Sequence, residues 1–289
     1  MPRRQRFLAA RELVRTSWAC GEREYDGVTR LTEACYAAQE VDLAPHFVVP
    51  ALSTLARAID EYGFAAATFP GGFERDRRAR DEAAQANAAW LRSALSALSA
   101  ERDRPVVLDH LGVASALYRD LGVAAPGRRR LGFLSQRPRA PHQLGSGFLA
   151  ESSQEGSSEP VELARELERW VVPGAHAEVG DYLEPGPALQ IVLLAVSAGV
   201  RPRDTAESVW HHLALAVGRY RKSVGLPEVL DLAAALGVRD RACQGVALVR
   251  HLFPELRGWA QLERAGVGSW HLQVPVRIFA RRVVAATFP

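Results

Sequence analysis

Lysine is almost absent from this chain: of 36 basic residues only Lys222 is not arginine, which excludes most lysine-based chemistry. Cysteine is also scarce. Cys20, Cys35 and Cys243 lie far apart with no Cys-x-x-Cys pair, so neither a zinc ribbon nor a disulfide framework is indicated. Long apolar runs are missing as well. The longest, Ala188 to Val200, is interrupted by Gln190 and Ser197 and is too short to span a bilayer. The basic start, with Arg3, Arg4 and Arg6, has the charge of a secretion signal, but Arg11 and Glu12 interrupt it before an apolar segment develops. These absences predict a cytoplasmic protein with no membrane partner. Familiar catalytic signatures are lacking too: there is no Gly-x-Ser-x-Gly, no Walker A pattern and no Gly-x-Gly-x-x-Gly following a strand.

What the sequence does contain is enough apolar material for a substantial core, 48% of 289 residues. The net charge is only +3, so nucleic acid is a weakly indicated partner. Apolar positions recurring at three and four predict helices over 7–19 and 25–39, and a third opened by Pro45 and Pro50 and ended by Gly63. The alternating charges from Glu74 to Glu82 read as a solvated helix face with local ion pairs. The same helix then presents Trp90, Leu91, Ala94, Leu95 and Leu98 to a core. The period changes at Pro105, where Val106, Val107 and Leu108 form a short buried strand. A helix over 111–121 and a strand over 130–135 follow.

Further on, the periodicity predicts a helix over 161–170 and a third strand over 175–182, after a polar loop at 151–159. From Pro187 the chain turns helical again. Pro227 just inside a helix start and Gly237 just past its end bound one element, and 238–253 forms another. The segment 270–279 reads as extended, with Pro275 restricting it to a sheet edge. The expected fold class is an α-rich α/β protein: a helical region at 1–104, a small mixed sheet within 105–185, and a second helical region at 186–289.

The run Leu108, Asp109, His110, Leu111 to Ala114, then Leu117 and Tyr118, followed by Arg130 to Ser135, resembles the uncharacterised nucleotidyltransferase-like proteins of the polymerase-beta superfamily. In that family a Leu-Lys-Gly strand end leads into a helix closing on Leu-Tyr, and a nearby strand carries Asp-x-Asp. The resemblance, over roughly Arg80 to Glu255, implies a nucleotidyltransferase-like core, and it places Arg130 and Gly132 where the two aspartates belong. An arginine and a glycine cannot ligate the divalent cations that such transfer needs. The family's later acid matches Glu178 best. The resemblance therefore implies a degenerate member that binds a protein or small-molecule ligand.

Several residues remain as candidates. Asp109 and His110 fall at a predicted strand's carboxyl end, where open α/β sheets bind ligands; Asp109 can equally cap the helix that follows. His176 and Glu178, two apart on a predicted strand, would share a face, but two ligands do not make a metal site. Together these four define an alternative, an enzyme with a rebuilt active site. Arg128 and Arg130 are candidate anion-binding groups, and also ordinary solvated arginines. A helical nucleic-acid-binding or regulatory protein is the remaining alternative. Adjacent His211 and His212 diverge by about 100° on a helix and cannot chelate together. No cofactor is specified by any of these patterns.

Overall fold

The computed structural model describes residues 3–20, 25–62, 71–99, 105–124, 130–134, 161–163, 165–199, 209–262 and 270–288. Four helices come first: α1 (Arg3–Cys20), α2 (Tyr25–Glu40), α3 (Pro45–Tyr62) and α4 (Glu74–Ser99). Pro50 lies inside α3 rather than at its start, and the carbonyl of Pro50 is engaged by Thr54 Oγ1 at 2.9 Å. Leu91 and Leu95 of α4 are buried as the sequence predicts, with Trp90 and Ala94 packed beside them. The polar loop expected at 151–159 lies outside the described residues.

The sheet has five short strands in the order β3-β2-β1-β5-β4, where β1 is Pro105–Leu108, β2 Arg130–Leu134, β3 Val161–Leu163, β4 Val171–Pro173 and β5 Leu183–Pro185. It is mixed: β1 runs antiparallel to β2 and parallel to β5, and β2 is parallel to β3 while β4 is antiparallel to β5. Helix α5 (Asp109–Tyr118) leaves directly from the end of β1. It sits hard against the sheet, because a Cβ at Gly112 would fall 2.0 Å from the Val107 carbonyl oxygen and 3.1 Å from Pro185 Cδ.

Five more helices follow among the described residues: α6 (Pro187–Gly199), α7 (Trp210–Tyr220), α8 (Leu226–Ala235), α9 (Arg239–Leu252) and α10 (Trp270–Thr287). The end of α8 behaves as its glycine predicts. Gly237 has φ +69°, its N–H donates to the Ala234 carbonyl, and the Val238 N–H donates to Ala233, which is the Schellman pattern. Helix α1 packs on α2 and α3 and also on α7, while α7 packs on α6 and α9. The N- and C-terminal helices therefore share one contiguous apolar core with the sheet.

Three expectations are corrected. The segment 161–170 is strand β3 followed by a 3-10 segment, Arg165–Trp170, because parallel pairing with β2 outweighs the local helical period. The segment 175–182 is a turn with a 3-10 segment at Ala177–Val179; Gly180 at φ +134° interrupts extended backbone, and the strand begins only at Leu183. The segment 270–279 is helical, continuing through Pro275 to Thr287, and it packs on α9 with Ala280 and Val283 buried. Its content of Val and Ile favours strand locally, but packing on α9 decides the outcome.

One polar junction locks α3 and α4 onto the sheet side of the molecule. Asp120, buried just past α5, accepts from Ser53 Oγ at 2.5 Å, Arg80 Nε at 2.6 Å and the Gly122 N–H at 2.8 Å. Asn87 on α4 donates to the carbonyls of Leu121 and Ala124, at 2.7 and 2.9 Å. Replacing Asp120 with alanine strands the Ser53 hydroxyl and the Gly122 amide together. The expected loss is roughly 3 kcal/mol, read as a lower urea midpoint, with Asp120→Asn retaining part of it.

Candidate functional site

The most concentrated buried polar chemistry lies where α5, β5 and the turn between β4 and β5 meet. Glu184 on β5 is only 4% exposed. Its Oε2 accepts from Ser115 Oγ on α5 at 2.7 Å and from the Ala175 N–H at 3.1 Å. Ser115 also lies 3.0 Å from the Tyr182 hydroxyl, which accepts from the His176 N–H at 3.3 Å. The Tyr182 ring lies on the backbone of Gly174, where any Cβ would come within 2.4 Å of it. Glycine at 174 is therefore what lets the aromatic ring close the turn.

Burial pushes the Glu184 carboxyl above the usual carboxylate range, against the opposing pull of Ser115 and the Ala175 amide. Tyr182 is raised for the same reason. An acid with a raised pKa in the folded state contributes stability that is fully present below its ordinary pKa and lost as pH climbs through the raised value. Glu184→Gln keeps an acceptor for Ala175 and cannot ionise. The variant should therefore gain on the wild type as pH rises from about 4 towards neutrality, by about 1.4 kcal/mol for each pH unit of the shift. Urea unfolding at a series of pH values reads this directly, and parallel curves would contradict it.

The sequence-predicted candidates fall around this cluster unevenly. His176 and Glu178 do meet, but not as a metal pair on a strand. Both lie in the turn, with His176 Nδ1 3.0 Å from Glu178 Oε1. The Glu178 side chain is 68% exposed, and its own amide and the imidazole hold its carboxyl below the usual range. His176 Nε2 is buried with no hydrogen-bond partner among the described residues. The acid on the strand beside β1 is thus Glu184 and not Glu178.

Asp109 and His110 open α5, and Arg130 opens β2 as the register partner of Leu108. These three positions therefore come together at one edge of the sheet. Their side chains, and the whole of Arg128, lie outside the described residues. Gly132 pairs with Val106, which also pairs with Leu183, so these positions share one face of the sheet. Glu184, one residue beyond Leu183, projects to the opposite face, under α5. Among the described residues no three His, Cys, Asp or Glu side chains are grouped to hold a metal ion.

A second polar seam runs along α7. Tyr118 OH is 2.7 Å from His212 Nδ1, and Arg219 donates to the Leu117 carbonyl at the end of α5. His211 is buried against Phe47 and Trp210, and although the two histidines are adjacent on a helix their rings stay close, with centroids 3.9 Å apart. Sequence reasoning missed Glu184, Ser115 and Tyr118 as site residues. The only local signal was an acid set between Tyr182 and Pro185, and its partner Ser115 lies 69 residues away.

No helix among the described residues is long and apolar enough to cross a membrane. No family model, no curated protein and no solved structure matches this chain.

Proposed function

We propose that the chain is a degenerate nucleotidyltransferase-like protein that has no metal-dependent transfer activity and works by binding a protein or small-molecule ligand. The observation that carries this reading is the sheet register. Arg130 and Gly132 occupy adjacent same-face positions on β2, opposite Leu108 and Val106. The one buried acid on a strand neighbouring β1, Glu184, points to the other face and is committed to Ser115 and the Ala175 amide. A carboxylate so placed cannot stand in for an acid pair at 130 and 132, and burial weakens it further as a cation ligand. Ligand binding is assigned to the edge where β1 and β5 end in parallel and β1 meets antiparallel β2, the place where mixed α/β sheets leave a crevice.

Titration of the full chain with ATP and magnesium, followed by calorimetry and by pyrophosphate release, tests this. The expected result is no pyrophosphate at any magnesium concentration. Metal-dependent release that disappears on adding chelator would overturn it.

A second reading, an enzyme with a rebuilt site, is favoured by the His176 and Glu178 contact. A carboxylate on Nδ1 fixes the imidazole, and the buried Nε2, without a hydrogen-bond partner among the described residues, is the nitrogen that a bound reacting group would engage. It requires any activity found to fall steeply in His176→Ala and only modestly in Glu178→Gln. Equal activity of His176→Ala and wild type ends it.

A further inference from the structure

Helix α10 carries three arginines and no acid over its whole length. Arg277, Ile278, Arg281, Arg282 and Ala285 are all exposed, and their spacing places them on one side of the helix. The opposite side, with Ala280 and Val283, is buried against α9. None of the three arginines pairs with a carboxylate among the described residues, unlike Arg11, Arg15, Arg75 and Arg80, which do. The face is continued at both ends. Arg3 Nε donates to the Phe288 carbonyl at 2.6 Å, bringing the basic start of α1 to the end of α10. At the other end His251 is pushed below its ordinary range by burial and by the neighbouring charges of Arg277 and Arg257. The nearby acid Glu255 is already engaged by Arg11 at 3.0 Å.

We propose that this face of α10 docks on the phosphate backbone of double-stranded DNA, through Arg277, Arg281 and Arg282 with Arg257 and Arg3 at its two ends. From Arg277 to Phe288 the helix runs about 17 Å at 1.5 Å per residue, and a duplex presents one negative charge per about 1.7 Å of its axis. Single strands are disfavoured because no aromatic side chain among the described exposed residues of α10 offers a stacking platform. An A-form RNA duplex is read through its 2′-hydroxyls, and among the described residues the exposed positions of α10 supply only arginine, Ile278 and Ala285. A membrane surface is disfavoured because the buried apolar residues Ala280 and Val283 of α10 are spent on α9, and among the described side chains of the helix Ile278, 49% exposed, is the one large exposed apolar group. Contacts made by guanidinium groups to phosphate carry no base readout, so the binding is independent of sequence.

The test uses the full chain and a fluorescein-labelled DNA duplex of arbitrary sequence, followed by anisotropy from roughly 50 to 200 mM salt. Affinity should fall linearly on logarithmic axes. The triple variant R277Q, R281Q, R282Q should shallow that slope by about 2.7, at about 0.9 per lost phosphate contact, and weaken binding about 100-fold or more near 100 mM salt. The corresponding triple lysine variant keeps most of the slope. A charge-matched control replacing the exposed Arg30, Arg78 and Arg169 with glutamine should bind as wild type. All substituted positions are exposed, and an unchanged thermal midpoint verifies folding. Equal losses in the control and the α10 variant overturn the proposal, and so does binding to anionic phospholipid vesicles or to a single strand in preference to the duplex.

Discussion

Gly245→Val should remove a large part of the stability of the fold. Gly245 lies in the middle of α9, and a Cβ there would stand 2.0 Å from the Ala195 carbonyl oxygen, 2.7 Å from the Ala195 carbonyl carbon and 2.8 Å from its Cα. Every one of these obstacles is backbone, so no side-chain rotation relieves them. The two helices must separate instead, and the separation opens the most extensive helix contact in the molecule, between α6 and α9. Buried Leu194, Ala195, Val246 and Val249 lose their packing along that seam. Overpacking a core commonly costs about 1–3 kcal/mol and more when backbone must move, against a total stability of about 5–15 kcal/mol. We therefore expect a loss of at least about 4 kcal/mol, seen as a collapse of the urea midpoint. Gly245→Ala already carries the offending Cβ and should lose most of that amount. An alanine variant within about 0.5 kcal/mol of wild type would show that α6 and α9 are not packed this closely.

Gly218 makes a useful comparison. A Cβ there meets the Trp18 indole at 2.5 Å. The obstacle is a side chain, on a helix that packs on α7 from one side only, so Gly218→Ala has an escape that Gly245→Ala lacks. Both glycines lie within a helix and carry the same intrinsic propensity. The difference lies in what faces them, and no local pattern encodes it.

That distinction explains which parts of the molecule were legible in its sequence. Helix α8 could be read because Pro227 and Gly237 report on their own backbone, and the Schellman bonds at 237 and 238 are the direct expression of that glycine. Strand β1 could be read because Pro105 marks its start and Val106 and Val107 are buried on the spot. Strands β3 and β5, three residues each, are shorter than any period and exist because β2 and β1 offer them ladders. The helical reading of 161–170 failed for that reason, while the extended readings of 175–182 and 270–279 failed at Gly180 and at the packing of α10 on α9. Glu184 was overlooked because its burial depends on Ser115 of α5 closing over Tyr182 and the Ala175 amide of the β4–β5 turn, two segments far apart in sequence. His176 and Glu178 were found as a pair, since neighbours in sequence stay neighbours in space, but the strand that was to present them is a turn.

Trp210→Ala should be the most damaging truncation. Trp210 opens α7, is 1% exposed, and is the largest of the fully buried side chains. Its ring meets Phe7 of α1 at 6.1 Å, Phe47 of α3 at 5.8 Å and Phe253 beyond α9 at 5.9 Å. Phe47 in turn stacks on Phe288 at 5.3 Å, so one aromatic cluster joins the first helices to the last residues of α10's tail. The truncation removes an indole from the point where both helical regions converge, and the backbones around it belong to four helices that cannot collapse into the space together. Loss of the transferred apolar area and the cavity left behind should cost about 3–5 kcal/mol. Trp210→Phe retains most of the volume and the tilted ring contacts, and its cost should stay near 1.5 kcal/mol. Because the Trp210 ring bridges regions remote in sequence, its loss should also loosen the Arg3 contact to the Phe288 carbonyl. Hydrogen exchange at the start of α1 and the end of α10 should therefore accelerate together in Trp210→Ala. Acceleration confined to α7 would show that the two termini are held by other contacts.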